Sequence, residues 1–264
     1  MLSSADPVKL FQDFSTLDLV SSGRAEIMVG RGAFTESFSL FGVEMADYDD
    51  LFDEKLALLL KIRAAERVTW SGRFRAPLRN QPVYPRPVQD PLPVWVGGTP
   101  RSAARAGAAG LPLAIGIIAG DVRRFAPLID LYRQSWDRAG HVTTDRHIGI
   151  NSHGFVADSA ENAVEATYPA FVAALRSLMR LPASQVPTKH QYALELEPSG
   201  AFVAGSPEQV AEKILFQQQL FGNDRFLMQM SVDTMPHAEV LRSIELFGTK
   251  VAPLVRARAR AEAS

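Results

Sequence analysis

Apolar positions along this chain switch repeatedly between two spacings, one near 3.6 residues and one of short unbroken runs. Leu10, Phe11, Phe14 and Leu17 fall on one helical face, opened by Asp6-Pro7 and stopped by Ser21-Ser22-Gly23. Residues 25–30 (AEIMVG) then read as a strand, and Leu51, Phe52, Leu56, Leu59 and Leu60 form the buried stripe of a helix over about 48–64. Residues 71–92 are proline-rich and aperiodic, which reads as a long connection. The runs 93–97 and 113–118 read as buried strands around a short Ala-rich helix that ends at Gly110. Asp121 opens a helix carrying Phe125, Leu128, Ile129 and Tyr132. Residues 147–156 alternate as a strand, a helix covers about 159–179, and 181–205 reads as a second long loop. Ser206-Pro-Glu-Gln209 is a capping box with Pro at the first helical position, starting a helix to Phe221. A last strand at 226–231 precedes a helix over about 236–260.

Strand followed by helix, repeated, predicts a parallel sheet with helical crossovers, an α/β fold. The pattern yields five strands, whereas a closed (β/α)8 barrel needs eight. A five-stranded doubly wound sheet fits the same count, although no G-x-G-x-x-G or G-x-x-x-x-G-K-[ST] stretch occurs. Periodicity does not choose between the two.

With 264 residues, 47% hydrophobic and 22% charged, the chain can bury a substantial core. Its net charge of −1 and the lack of a long basic block argue against nucleic acid and acidic membrane surfaces as partners. The Arg-Ala repeat over 256–260 fits a solvated helix end. Without cysteine there is no disulfide, thiol catalysis or cysteine-held metal centre, and with no long apolar run or signal peptide the expected location is the cytoplasm.

The stretch with most chemical content is Pro93-Val-Trp-Val-Gly-Gly-Thr-Pro-Arg-Ser102. A buried strand breaks into two glycines, which admit a ligand close to the backbone. Thr99, Arg101 and Ser102 then bring hydroxyls and a guanidinium to a helix start, where free N–H groups favour an anion. An ordinary strand-to-helix turn capped by Thr99, with Pro100 at the first helical position, accounts for the same residues.

Several stretches together resemble the flavin-dependent, luciferase-like monooxygenase superfamily. They are Thr16-Leu-Asp-Leu-Val-Ser-Ser-Gly-Arg24, Met28-Val-Gly-Arg-Gly32, Phe41-Gly42, Tyr48 with Phe52-Asp-Glu54, Val68-Thr-Trp-Ser-Gly72, Pro91-Leu-Pro-Val-Trp-Val-Gly-Gly98, Gly110-Leu-Pro112, Gly205-Ser-Pro-Glu208 and Phe247-Gly248. The resemblance covers nearly the whole chain and implies a single (β/α)8 TIM-barrel domain over 1–264. It also implies that this barrel is incomplete: the five strands correspond to strands four to eight, the first two strand–helix units and most of strand three lying outside the chain. Unpaired sheet edges in such a barrel lead us to expect a homo-oligomer.

The same resemblance implies an enzyme that uses reduced FMN and O2 on a small organic substrate, with NAD(P)H as a possible reductant. Deazaflavin F420 is the alternative cofactor, and a shortened flavin-binding protein without catalysis is the non-enzymatic alternative. Arg31 is similar to the arginine that reaches the flavin phosphate, and Gly98, Thr99 and Ser102 match the backbone and hydroxyl contacts to it. A guanidinium at a strand end between Gly30 and Gly32 is also physically suited to grip phosphate, although a solvated loop arginine is the plainer account. Arg101 is an extra charge that solvent accounts for equally well.

His153, in Asn151-Ser-His-Gly154, is the candidate acid–base group, its imidazole titrating near neutrality; histidines on strands are more often packed than catalytic. Gln229 and Ser231 either line a pocket or satisfy each other. Glu44, Asp47, Asp49, Asp50, Asp53 and Glu54 surround a helix start, which dipole complementarity explains. Phe34, Phe38 and Phe41 read as core or as a pocket wall. No H-E-x-x-H and no G-x-S-x-G occur, so metalloprotease and serine-hydrolase readings find no support.

Overall fold

The computed structural model describes residues 1–32, 36–98, 100–177, 180–231 and 235–262. Contacts divide it into two compact units, Met1–Leu113 and Ala114–Ser264.

In the first unit, α1 (Pro7–Ser21) starts where Asp6 accepts hydrogen bonds from the N–H groups of Val8 and Lys9, and Pro7 occupies the first helical position. It ends as Ser22 turns left-handed at φ 57°. The strand expected over 25–30 is the shorter β1 (Ile27–Val29), with Ile27 and Val29 buried and Met28 exposed. A short α2 (Glu36–Leu40) and a 3-10 turn (Met45–Asp47) lead into α3 (Tyr48–Ala64). The stripe of Leu51, Phe52, Leu56, Leu58, Leu59 and Ile62 is buried, and α3 packs against α1.

The stretch expected as a plain connection instead contains β3 (Leu78–Pro82), antiparallel to β2 (Arg67–Trp70). Leu78–Pro82 is almost wholly exposed and carries no apolar alternation, so pairing alone makes it a strand. Then come β4 (Val94–Gly97) and α4 (Pro100–Ala108). β4 runs parallel to β1 with Ile27 opposite Val94, Met28 opposite Trp95 and Val29 opposite Val96. Val94, Trp95 and Val96 are all buried, as a continuous apolar run in a parallel sheet should be.

The boundary between units falls at the start of β5 (Leu113–Ile117). In the second unit Asp121 caps a 3-10 turn (Val122–Phe125) that runs into α5 (Ala126–Arg138). β6 (Ile148–Val156) is the long central strand. After it come α6 (Ala160–Ser177), α7 (Lys189–Glu195), β7 (Val203–Gly205), α8 (Pro207–Phe221) and β8 (Arg225–Gln229). Both β7 and β8 pair parallel with β6: β8 alongside Gly149–His153, β7 alongside Gly154–Val156.

β7 and α7 lie inside the segment expected to be a long loop, because three and seven residues are too short to show a period. The capping box forms as expected: Ser206 and Gln209 each accept from the other's backbone N–H. The last helix is α9 (His237–Leu246), a π-helical turn (Phe247–Val251) and α10 (Ala252–Glu262), one continuous rod. Val156, Val203, Val210, Ile214, Leu246 and Val251 make the core between strands and helices. Each such side chain contributes roughly 1.5–3 kcal/mol by leaving water.

Candidate functional site

Because β1 and β4 are parallel neighbours, the chain leaves both at the same end, and Gly30-Arg31-Gly32 comes beside the start of α4. Parallel α/β sheets place ligands at this carboxyl end. Gly98 has φ 134°, a conformation that disfavours side chains, and a Cβ there would meet the Ser102 hydroxyl at 3.0 Å. Ser102 is fully buried, and its Oγ has no hydrogen-bond partner among the described residues. A buried hydroxyl left unpaired beside an open backbone suits an acceptor oxygen from a ligand. Thr99 lies outside the described residues.

Arg31 is largely shielded, its side chain 12% exposed, and it donates to Asp49 Oδ1 at 2.6 Å. Its guanidinium lies 4.7 Å from the centre of the Tyr48 ring, and the Tyr48 hydroxyl donates to the Gly32 carbonyl at 2.6 Å, fixing the turn. Arg101 is more exposed than Arg31 but does not simply point into water: it pairs with Asp49 Oδ2. One carboxylate therefore bridges a guanidinium from the turn after β1 and one from the first turn of α4.

The acidic group around the start of α3 is thus a set of specific partners as well as a complement to the helix dipole. Asp53 pairs with Arg105 of α4, Asp47 pairs with Arg73, and Glu54 accepts from the N–H groups of Arg73 and Phe74. Phe38 is buried with its ring 5.2 Å from that of Tyr48, Phe41 is exposed, and Phe34 lies outside the described residues.

His153 belongs to the second unit. It sits on β6 opposite Gln229 of β8, half-buried, with its ring centroid 6.4 Å from that of Phe202. Its Nδ1 is buried and has no hydrogen-bond partner among the described residues. Burial holds its pKa below the usual 6.5, so the ring is neutral at neutral pH. Next to it Gly154 is obligatory, since a Cβ would come within 2.5 Å of the Val203 carbonyl oxygen and 2.8 Å of Met228. Gln229 and Ser231 are exposed, and Ser231 lies beyond the end of β8.

The structure brings Arg31, Gly98, Arg101 and Ser102 together in the first unit. Sequence reasoning missed Asp49 as the shared partner of Arg31 and Arg101. It also passed over Lys213 of α8, which is buried and lines a cavity of about 420 Å³ with Glu161, Glu197 and Glu212. Among the described residues no three His, Asp or Glu side chains are grouped to hold a metal ion, and no helix is long and apolar enough to cross a membrane.

Comparison with known proteins accords with this architecture. The structure of the monooxygenase RslO1 from Streptomyces bottropensis superposes with a TM-score of 0.79 at 26% identity, over 96% of this chain and 75% of that one. The oxygenating constituent of 3,6-diketocamphane monooxygenase from Pseudomonas putida, solved in complex with FMN, superposes with a TM-score of 0.75 at 20% identity, over 96% and 77%. An F420-dependent glucose-6-phosphate dehydrogenase of Amycolatopsis mediterranei is 30% identical over 109 residues, 40% of this chain and 32% of that protein. The pattern of the luciferase-like monooxygenases matches residues 1–223, which places the parallel α/β fold in a known lineage. The chain belongs to the luciferase-like monooxygenase family.

Proposed function

We propose that this protein is a flavin-dependent oxidoreductase that binds FMN, with the phosphate held between Arg31 and the turn from Gly98 to Ser102. The observation that carries the reading is the convergence of Arg31 and Arg101 on one carboxylate: two guanidiniums from neighbouring strand ends already hold an anionic group. The unpartnered Ser102 hydroxyl and the positive φ at Gly98 fit a phosphate oxygen approaching the backbone. Thr99 completes the proposed set.

FMN would supply the redox chemistry, with NAD(P)H as a possible reductant and O2 as co-substrate, and this chain's residues would anchor and orient it and exclude water. His153 is the proposed acid–base group: burial favours its neutral imidazole, the form that can accept a proton. In this reading the strands 27–29, 94–97, 113–117, 148–156 and 225–229 correspond to the fourth to eighth of a (β/α)8 barrel, and β7, parallel to the end of β6, is an addition to that set. Homo-oligomerisation is part of the same proposal, and size-exclusion chromatography at several concentrations tests it.

One observation favours a second reading with F420: the relative of 30% identity is named F420-dependent. Titration with FMN and with F420, followed by absorbance, decides between them. Substrate-dependent NAD(P)H oxidation with FMN and O2 then tests the activity. Failure to bind FMN would overturn the first reading.

A further inference from the structure

Asp49 stands where an anionic ligand group would enter. Each of its carboxylate oxygens accepts from a different guanidinium, Arg31 on one side and Arg101 on the other. The pairing is not a loose surface contact, because Arg31 is largely shielded and backed by the Tyr48 ring. Asp49 offsets part of the positive charge that the two guanidiniums would present to a phosphate arriving at Gly98 and Ser102. A phosphate dianion therefore competes with Asp49 for the same N–H donors. The carboxylate has somewhere to go: it lies in the first turn of α3, where helix N–H groups favour negative charge, and is 32% exposed.

We propose that Asp49 is a specificity-determining counter-ion of this site, a tethered carboxylate that an incoming phosphate displaces from the two arginines. The inference rests on the reading that these turns hold phosphate. Asp49 lowers affinity for phosphate-bearing ligands and leaves the affinity for neutral analogues unchanged. A purely positioning role predicts the reverse, since without Asp49 the arginines would lose their alignment and phosphate would bind more weakly.

The test measures dissociation constants of FMN and riboflavin, by flavin fluorescence, for the wild type, Asp49→Asn, Asp49→Ser and Arg31→Ala, with inorganic phosphate as competitor and thermal melting as a check of folding. Removing the competing charge should tighten FMN binding about tenfold in both Asp49 variants, equivalent to one modest ion pair. Riboflavin should be unaffected, and the inhibition constant of inorganic phosphate against FMN should fall by a similar factor. FMN affinity that is unchanged or weaker in folded Asp49→Asn and Asp49→Ser overturns the inference. If Arg31→Ala binds FMN as tightly as the wild type, the phosphate site itself is wrong. If Arg31→Ala weakens FMN while the Asp49 variants do not tighten it, the counter-ion role alone fails.

Discussion

The ammonium group of Lys213 donates to the Phe202 carbonyl at 2.6 Å, and a second bond reaches the Glu195 carbonyl at 3.2 Å. It thus ties α8 to both ends of the segment between α7 and β7. Burial drives its pKa down from 10.5 to about 7, against the attraction of Glu195 and Glu197. Below about pH 7 both folded and unfolded chains carry the proton, so the full cost of the buried charge is present. Between about 7 and 10.5 the unfolded chain binds more protons, and stability rises with pH. Urea unfolding of the wild type against Lys213→Met should show the wild type gaining up to about 1 kcal/mol per pH unit across that window. A difference that stays flat from pH 7 to 10 would refute the assignment.

Arg31→Ala should weaken FMN binding by roughly 1.5–3 kcal/mol, the range for a charge-assisted hydrogen bond, about 10- to 150-fold. Riboflavin, which lacks the phosphate, should lose little. Equal losses for both ligands would mean that Arg31 supports the ring region or the fold instead.

Gly98→Ala forces a side chain into φ 134° and against the Ser102 hydroxyl. The backbone cost is about 1–3 kcal/mol. Melting temperature and FMN affinity should both fall, and a variant as stable as the wild type would show that the turn relaxes without consequence.

A proton NMR titration should give His153 a midpoint below 6.5, because desolvation disfavours the imidazolium. As pH drops under 6.5 the unfolded chain takes up this proton first, so the contribution of His153 to stability declines with acid. His153→Gln should cut turnover by about 10²-fold if the imidazole transfers a proton, while FMN binding holds. Unchanged turnover would remove His153 from the chemistry.

Local signals were legible wherever a single residue does a single backbone job. Asp6 and Pro7 announce α1, and Ser206 with Gln209 announces α8, because caps act within three residues. β3 and β7 were not legible, since an exposed strand and a three-residue strand exist only through their partners. The two turns of the proposed phosphate site carry a local mark, glycines at Gly30 and Gly32 and at Gly97 and Gly98, and only the resemblance assigns them to phosphate. Asp49 could not be singled out. It lies 18 residues from Arg31 and 52 from Arg101, and within a run of six acids nothing local marks which one will meet an arginine.

The acids before and within the first two turns of α3 are committed to several segments at once: Asp49 to the turn after β1 and to α4, Asp53 to α4, and Asp47 and Glu54 to the residues before β3. Substitutions in this helix are therefore expected to be epistatic. A charge lost at one of these positions can be compensated only by changes in distant stretches of sequence, so neutral drift there should proceed by paired exchanges and a deep mutational scan should record that coupling.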